Sequence, residues 1–150
     1  TGSSASAIVT GFNFNSSTRN ACIDCYAENN TAINSTAGQF GALGFDLNTS
    51  TDCILLRCVA YNQLTGSSAS SVGIRSSNGN SNTIRSCQSS RHTIGYRIDP
   101  NNSTTSVFLQ NIASNNATPY SQFIGGSTDI AGTISNLNTL KNPWTNISVN

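Results

Sequence analysis

Short runs of alternating apolar and polar residues recur along the chain, each bounded by Ser, Thr, Asn or Gly. Four of them align on one slot. Cys25 sits in Cys22-Ile23-Asp24-Cys25-Tyr26-Ala27-Glu28-Asn29, Cys58 in Leu55-Leu56-Arg57-Cys58-Val59-Ala60-Tyr61-Asn62, Cys87 in Ile84-Arg85-Ser86-Cys87-Gln88-Ser89, and Asn111 in Phe108-Leu109-Gln110-Asn111-Ile112-Ala113-Ser114-Asn115. The slots are 33, 29 and 24 residues apart. An apolar residue lies three positions before each (Cys22, Leu55, Ile84, Phe108) and a small one two after (Ala27, Ala60, Ser89, Ala113).

A second motif follows at variable distance: Gly44-Phe45-Asp46-Leu47, Gly73-Ile74-Arg75, Gly95-Tyr96-Arg97-Ile98 and, more weakly, Phe123-Ile124-Gly125. Self-similarity at such a period, with insertions that fall in one gap, is the signature of stacked repeats. The runs are too short and too polar for helices, and their alternation and β-branched residues predict short strands. The pattern therefore predicts an all-β parallel solenoid of about four to five turns, each slot residue facing a shared core.

On these residues the chain resembles the right-handed parallel β-helix of the pectate-lyase-like superfamily, over roughly residues 20–126. In that superfamily the slot is usually an inward asparagine at a sharp turn, stacked as a ladder. The resemblance makes Cys25, Cys58, Cys87 and Asn111 the structural ladder, with cysteine replacing the amide three times and losing its backbone bonds. It implies little about chemistry, because one fold hosts many activities.

Composition alters this picture only slightly. Charged residues are 9% of the chain and the formal net charge is +1, which indicates neither a nucleic-acid stripe nor an acidic tail. No run of 18 apolar residues occurs, so no membrane span is expected. Five cysteines are an odd number, and stacked neighbours would run parallel rather than towards each other. They are read as free, buried packing residues, which suits assembly inside a cell. No metal and no cofactor is expected, because Cys22-Ile23-Asp24-Cys25 and Cys53…Cys58 lack a second clean pair.

Residues 1–7 are read as a linker or remnant, 8–135 as the β-helix, and 136–150, with Trp144, as a C-terminal cap or oligomerisation tail. The polar loops starting near Asn30, Gln63, Ser90 and Asn116 leave the same turn and are expected on one side. His92, in the shortest, is expected to be exposed. Arg75 and Arg97 are expected to stack on an outer face with Asp46 below them, and Arg57 with Arg85 likewise above Asp24. Such rows are salt-bridge ladders or, more sharply, a groove for anionic sugars, since guanidinium forks match carboxylates. Arg75, Arg97, Asp46, Tyr96 and His92 are accordingly the candidate carbohydrate-binding residues. An ice-binding row of Thr51, Thr83 and Thr105 is a third idea.

No catalytic residues are assigned. None of the six acidic residues adjoins another, whereas glycosidic cleavage uses two carboxylates about 5–10 Å apart. The expectation is a structural or adhesive module of a longer surface fibre or tailspike-like protein, extracellular or on a virion, and a homo-oligomer with a trimer favoured. Its partner would be a host or cell-surface glycan, not nucleic acid. The alternative is a carbohydrate-active lyase or hydrolase, with its site on the outer groove or between subunits.

Overall fold

The computed structural model describes residues 8–32, 40–65, 69–99 and 106–121, together with the backbone of two later strands. The expectations for residues 1–7, the Phe123-Ile124-Gly125 motif, Thr105 and Trp144 lie outside the described residues.

The alternating runs do form strands, and the chain passes repeatedly through the same places. The first pass contains β1 (Val9–Asn15), β2 (Ala21–Ile23), β3 (Tyr26–Glu28) and β4 (Thr31–Ala32). The second contains β5 (Phe40–Asn48), β6 (Ile54–Leu56), β7 (Val59–Tyr61) and β8 (Leu64–Thr65). The third contains β9 (Ser70–Ser77), β10 (Thr83–Arg85) and β11 (Gln88–Ser90), and the fourth β12 (Ile94–Ile98), β13 (Val107–Leu109) and β14 (Ile112–Ser114). β15 (Thr118–Ser121) opens a fifth, and β16 (Thr133–Ile134) and β17 (Asn146–Val149) follow.

Among the described strands every pairing is parallel, and up to β15 each joins one pass to the next, in the sheets β1-β5-β9-β12-β15, β2-β6-β10-β13, β3-β7-β11-β14-β17-β16 and β4-β8. The fold is all-β with stacked parallel sheets, an arrangement compatible with a solenoid. Cys22, Leu55, Ile84 and Phe108 form one in-register column, and Ala27, Ala60, Ser89 and Ala113 another. β17 stacks on β14, with β16 beyond it, so the stacking order at this end is the reverse of the chain order.

Sharp corners make these passes possible. Fourteen non-glycine residues among those described have φ between 50° and 63°. They fall into four groups: Ser16, Thr49, Asn78; Arg19, Asp52, Ser81; Asp24, Arg57, Ser86, Gln110; and Asn29, Asn62, Arg91, Asn115. A left-handed backbone costs roughly 1–2 kcal/mol for a residue with a Cβ. Here the neighbouring pass holds it, for the amides of Ser16, Arg19, Asp24 and Asn29 donate to the carbonyls of Asn48, Thr51, Leu56 and Tyr61.

The core between the sheets is narrow and mainly apolar. Phe12 stacks on Phe45 with ring centres 4.9 Å apart, and Tyr96 on Tyr120 at 5.1 Å. The buried Tyr96 hydroxyl reaches across to donate to the carbonyl of Cys87 (2.7 Å). Glycines and small residues meet where the walls come closest. A Cβ on Gly44 would lie 2.7 Å from that of Ala60 and 2.6 Å from the Gly73 carbonyl oxygen, and one on Gly73 would lie 2.0 Å from Ser89 Oγ. The Gly and Ala/Ser positions of the repeat are therefore steric partners.

Two expected rows are absent. Arg85 pairs with Leu56 and Leu109, whereas Arg57 occupies the corner with Asp24 and Ser86, so Arg57 and Arg85 belong to different columns. Thr51 bridges Thr18 and Asn80, while Thr83 pairs with Ile54 and Val107, so among the described residues Thr51 and Thr83 do not share a row.

Candidate functional site

At the third and fourth corners, the side chain that follows the left-handed residue turns towards the core. At the third corner these are Cys25, Cys58, Cys87 and Asn111, as the repeat predicts. Asn111 Nδ2 donates to the Ile84 carbonyl (2.9 Å) and its Oδ1 accepts the Cys87 amide (2.9 Å). The cysteines imitate both bonds with sulfur. Cys58 Sγ donates to the Cys22 carbonyl (3.2 Å) and Cys87 Sγ to that of Leu55 (3.6 Å), the equivalents of Ile84 two passes and one pass earlier. The amides of Cys25 and Cys58 in turn point at the sulfurs of Cys58 and Cys87. The expected loss of backbone bonding is thus a weakening rather than a loss.

The fourth corner carries a ladder that the repeat pattern does not suggest: Asn30, Gln63, His92 and Asn116. Gln63 Oε1 accepts the Asn30 amide (3.1 Å) and its Nε2 donates to the Ala27 carbonyl (2.9 Å). Asn116 Oδ1 accepts the His92 amide (2.9 Å) and its Nδ2 donates to the Ser89 carbonyl (3.0 Å). His92 does the same with a ring. Its Nδ1 accepts the Gln63 amide (3.2 Å), and its Nε2 faces the Ala60 carbonyl at 3.1 Å. A carbonyl can only accept, so the ring is neutral and carries its proton on Nε2. Burial lowers the His92 pKa from 6.5 to about 4.

These positions correct two of the nominations for sugar binding. His92 is buried at 5% exposure rather than displayed in a loop, and both of its nitrogens serve the backbone. Tyr96 is fully buried in the core, so its ring offers no face to a ligand in solution.

The other three nominees do come together. Asp46, Arg75 and Arg97 are in register on the β1-β5-β9-β12-β15 sheet. Arg75 Nε and Nη2 donate to the two oxygens of Asp46 at 2.9 Å each, and Arg97 Nε donates to Asp99 at 2.5 Å. Both guanidinium groups lie over the ring of Phe40, Arg97 at 4.3 Å and Arg75 at 5.3 Å from its centre. Burial raises the Asp46 pKa, and the Arg75 partner opposes that rise. An incoming carboxylate would have to displace Asp46 or Asp99 from a fork already engaged. A second bidentate pair, Arg57 with Asp24 at 2.6 and 2.7 Å, is exposed.

A set of thiols also converges. The sulfurs of Cys22, Cys25 and Cys58 all lie within 4.8 Å of one another. The sequence pairs Cys53 with Cys58, but Cys53 faces the Ser17 and Thr51 carbonyls at another corner. Burial raises the Cys22 thiol pKa, and the hydrogen bond with the Cys87 thiol leads in lowering that of Cys58 to about 6. All five cysteines are free.

Comparison with known protein families, with curated proteins and with solved structures finds no match.

Proposed function

We propose that the chain is a right-handed parallel β-helix of the pectate-lyase-like kind, and that it serves as a structural and adhesive module of a longer surface fibre or tailspike-like protein. It would work outside the cell or on a virion, as a trimer. The observation that carries this reading is the outer face of two sheets. The columns Ala21–Ile54–Thr83–Val107, Ile23–Leu56–Arg85–Leu109 and Tyr26–Val59–Gln88–Ile112 run along the stack. Ile23, Tyr26, Ile54 and Ile112 in them are exposed. Apolar side chains gathered on an outer surface mark an interaction face, and copies packed side by side along the stack would cover it.

The carboxylates favour this reading over an enzyme. Asp24, Asp46 and Asp99 each form an ion pair with an arginine, so none of the three is poised as a free acid or base. Contact with a host glycan would fall on Phe40, Arg75 and Arg97.

Light scattering behind a sizing column tests the proposal. The expected mass is that of a trimer, falling to a monomer in Ile54→Glu with the circular dichroism unchanged. A monomeric wild-type chain at all accessible concentrations would overturn the oligomeric part. A glycan array on which Phe40→Ala binds as the parent does would overturn the placement of the glycan.

A further inference from the structure

Cys22 and Cys25 are brought together by the corner between them. Asp24 holds φ at 54°, which turns Cys25 inward two residues after Ile23, beside the inward Cys22 of β2. Cys58 then arrives from the next pass, one step along the same column as Cys25. Local chain reversal supplies a Cys-x-x-Cys pair, and stacking supplies the third sulfur. This convergence of three thiols is not required by packing alone, since Leu55, Ile84 and Phe108 fill the place of Cys22 in later passes.

We propose that Cys22, Cys25 and Cys58 form a three-coordinate thiolate site for one soft, thiophilic metal ion, with Cu(I) its best match. A metal at about 2.3 Å from three sulfurs in a plane holds them about 4 Å apart. The present spacing, within 4.8 Å, closes to that with small side-chain rotations. Thiolates select soft ions such as Cu(I) and Zn(II). Zinc favours a fourth ligand, and among the described residues no further cysteine, histidine or carboxylate joins the three sulfurs, while the neighbouring Asp24 holds Arg57. Cys87, one pass further on, is outside the set of three. Cys25 is the half-buried member and gives the ion its entry, while Cys22 and Cys58 are buried. Binding converts three thiols to thiolates and releases their protons, so affinity rises with pH. The site is independent of the fibre reading.

The test uses the full chain, reduced and kept anaerobic, with Cu(I) delivered against a coloured Cu(I) chelator. One Cu(I) per chain is expected. Cys25→Ser should abolish this competition and Cys53→Ser should leave it intact, with unchanged circular dichroism in both. In the wild-type chain one equivalent of Cu(I) should also protect Cys25 from alkylation, a readout that needs no variant. The proposal is overturned if the wild-type chain fails to compete, if Cys25→Ser competes as well as the parent, or if Cys25 is alkylated equally with and without Cu(I). Equal affinity for Zn(II) would overturn the three-coordinate assignment.

Discussion

Two neighbouring corners of the stack solve one problem with different side chains. At the third corner Cys25, Cys58 and Cys87 lead to Asn111, and at the fourth Asn30 and Gln63 lead through His92 to Asn116. In both, a left-handed residue comes first and the next side chain spans two backbone groups of the preceding pass. What is constant is therefore the corner's geometry, and what varies is how strongly the inward side chain bonds. The fourth corner uses full amide and imidazole bonds of 2.9–3.2 Å to buried backbone. The third uses sulfur for most of its length, where hydrogen bonds are weak.

The difference should be largest when a ladder member is replaced by a hydrocarbon. His92→Leu leaves the Gln63 amide buried and unpaired and takes the second hydrogen bond from the Ala60 carbonyl, which keeps its bond to the next strand. With about 1–3 kcal/mol for the orphaned amide and about 1 kcal/mol for the lost bond, we expect a loss of about 3 kcal/mol in urea unfolding. His92→Asn, which copies Asn116, should stay within about 1 kcal/mol of the parent.

Acidification probes the same residue without a mutation. The His92 pKa is depressed in the folded chain, to about 4 from 6.5. Between these values the unfolded chain binds more protons, so stability rises with pH. It is fully present above about pH 6.5 and lost as pH falls towards 4, a difference of about 3 kcal/mol. Denaturant titrations across this range should show the loss in the parent and lack that component in His92→Asn.

At the thiol corner the effects should be smaller. Cys87→Ala removes one buried sulfur and its weak bonds, for about 1–2 kcal/mol. Cys87→Asn should cost less than Cys87→Ala, because its amide can make the bonds of Asn111. A Cys87→Asn chain less stable than Cys87→Ala would show that the two corners are not equivalent. The smallest effect belongs to the exposed surface. Asp24→Asn keeps a residue that tolerates the left-handed corner, breaks only an exposed ion pair with Arg57 and should leave the urea midpoint unmoved.

The thiol corner was legible in the sequence because three of its four members are the same uncommon residue. Once Cys25, Cys58 and Cys87 were superposed, the columns at Cys22 and Ala27 followed, and their registers agree residue by residue. The other ladder was hidden by its chemistry. Asn30, Gln63, His92 and Asn116 share no residue type, and the inserted loops begin beside them. Their spacing carried the signal, since each lies five positions after a slot residue. Asn20, Cys53, Asn82 and Ser106 lie five positions before one, and Asn82 there accepts the Cys53 amide (3.0 Å) and donates to the Ser50 carbonyl (3.0 Å).

The candidate surface site was half legible for a similar reason. The column Asp46–Arg75–Arg97 follows from the Gly-x-x motif, and the structure places its members in register. Tyr96 was misplaced because a tyrosine looks amphipathic in a sequence, yet here its hydroxyl finds the Cys87 carbonyl inside the core. The thiol cluster was overlooked because the third sulfur comes from the next pass rather than from a second local pair. Sequence spacing within one pass does not display that contact.

The chain contains a single histidine, so its ring nitrogens can be followed by nitrogen-15 NMR without ambiguity. If the fourth corner carries an inward ladder from pass to pass, the His92 ring is neutral with its proton on Nε2 and resists protonation until the pH approaches 4. A ring that exchanges tautomers freely and titrates near 6.5 would place His92 in solvent and contradict the ladder at that corner.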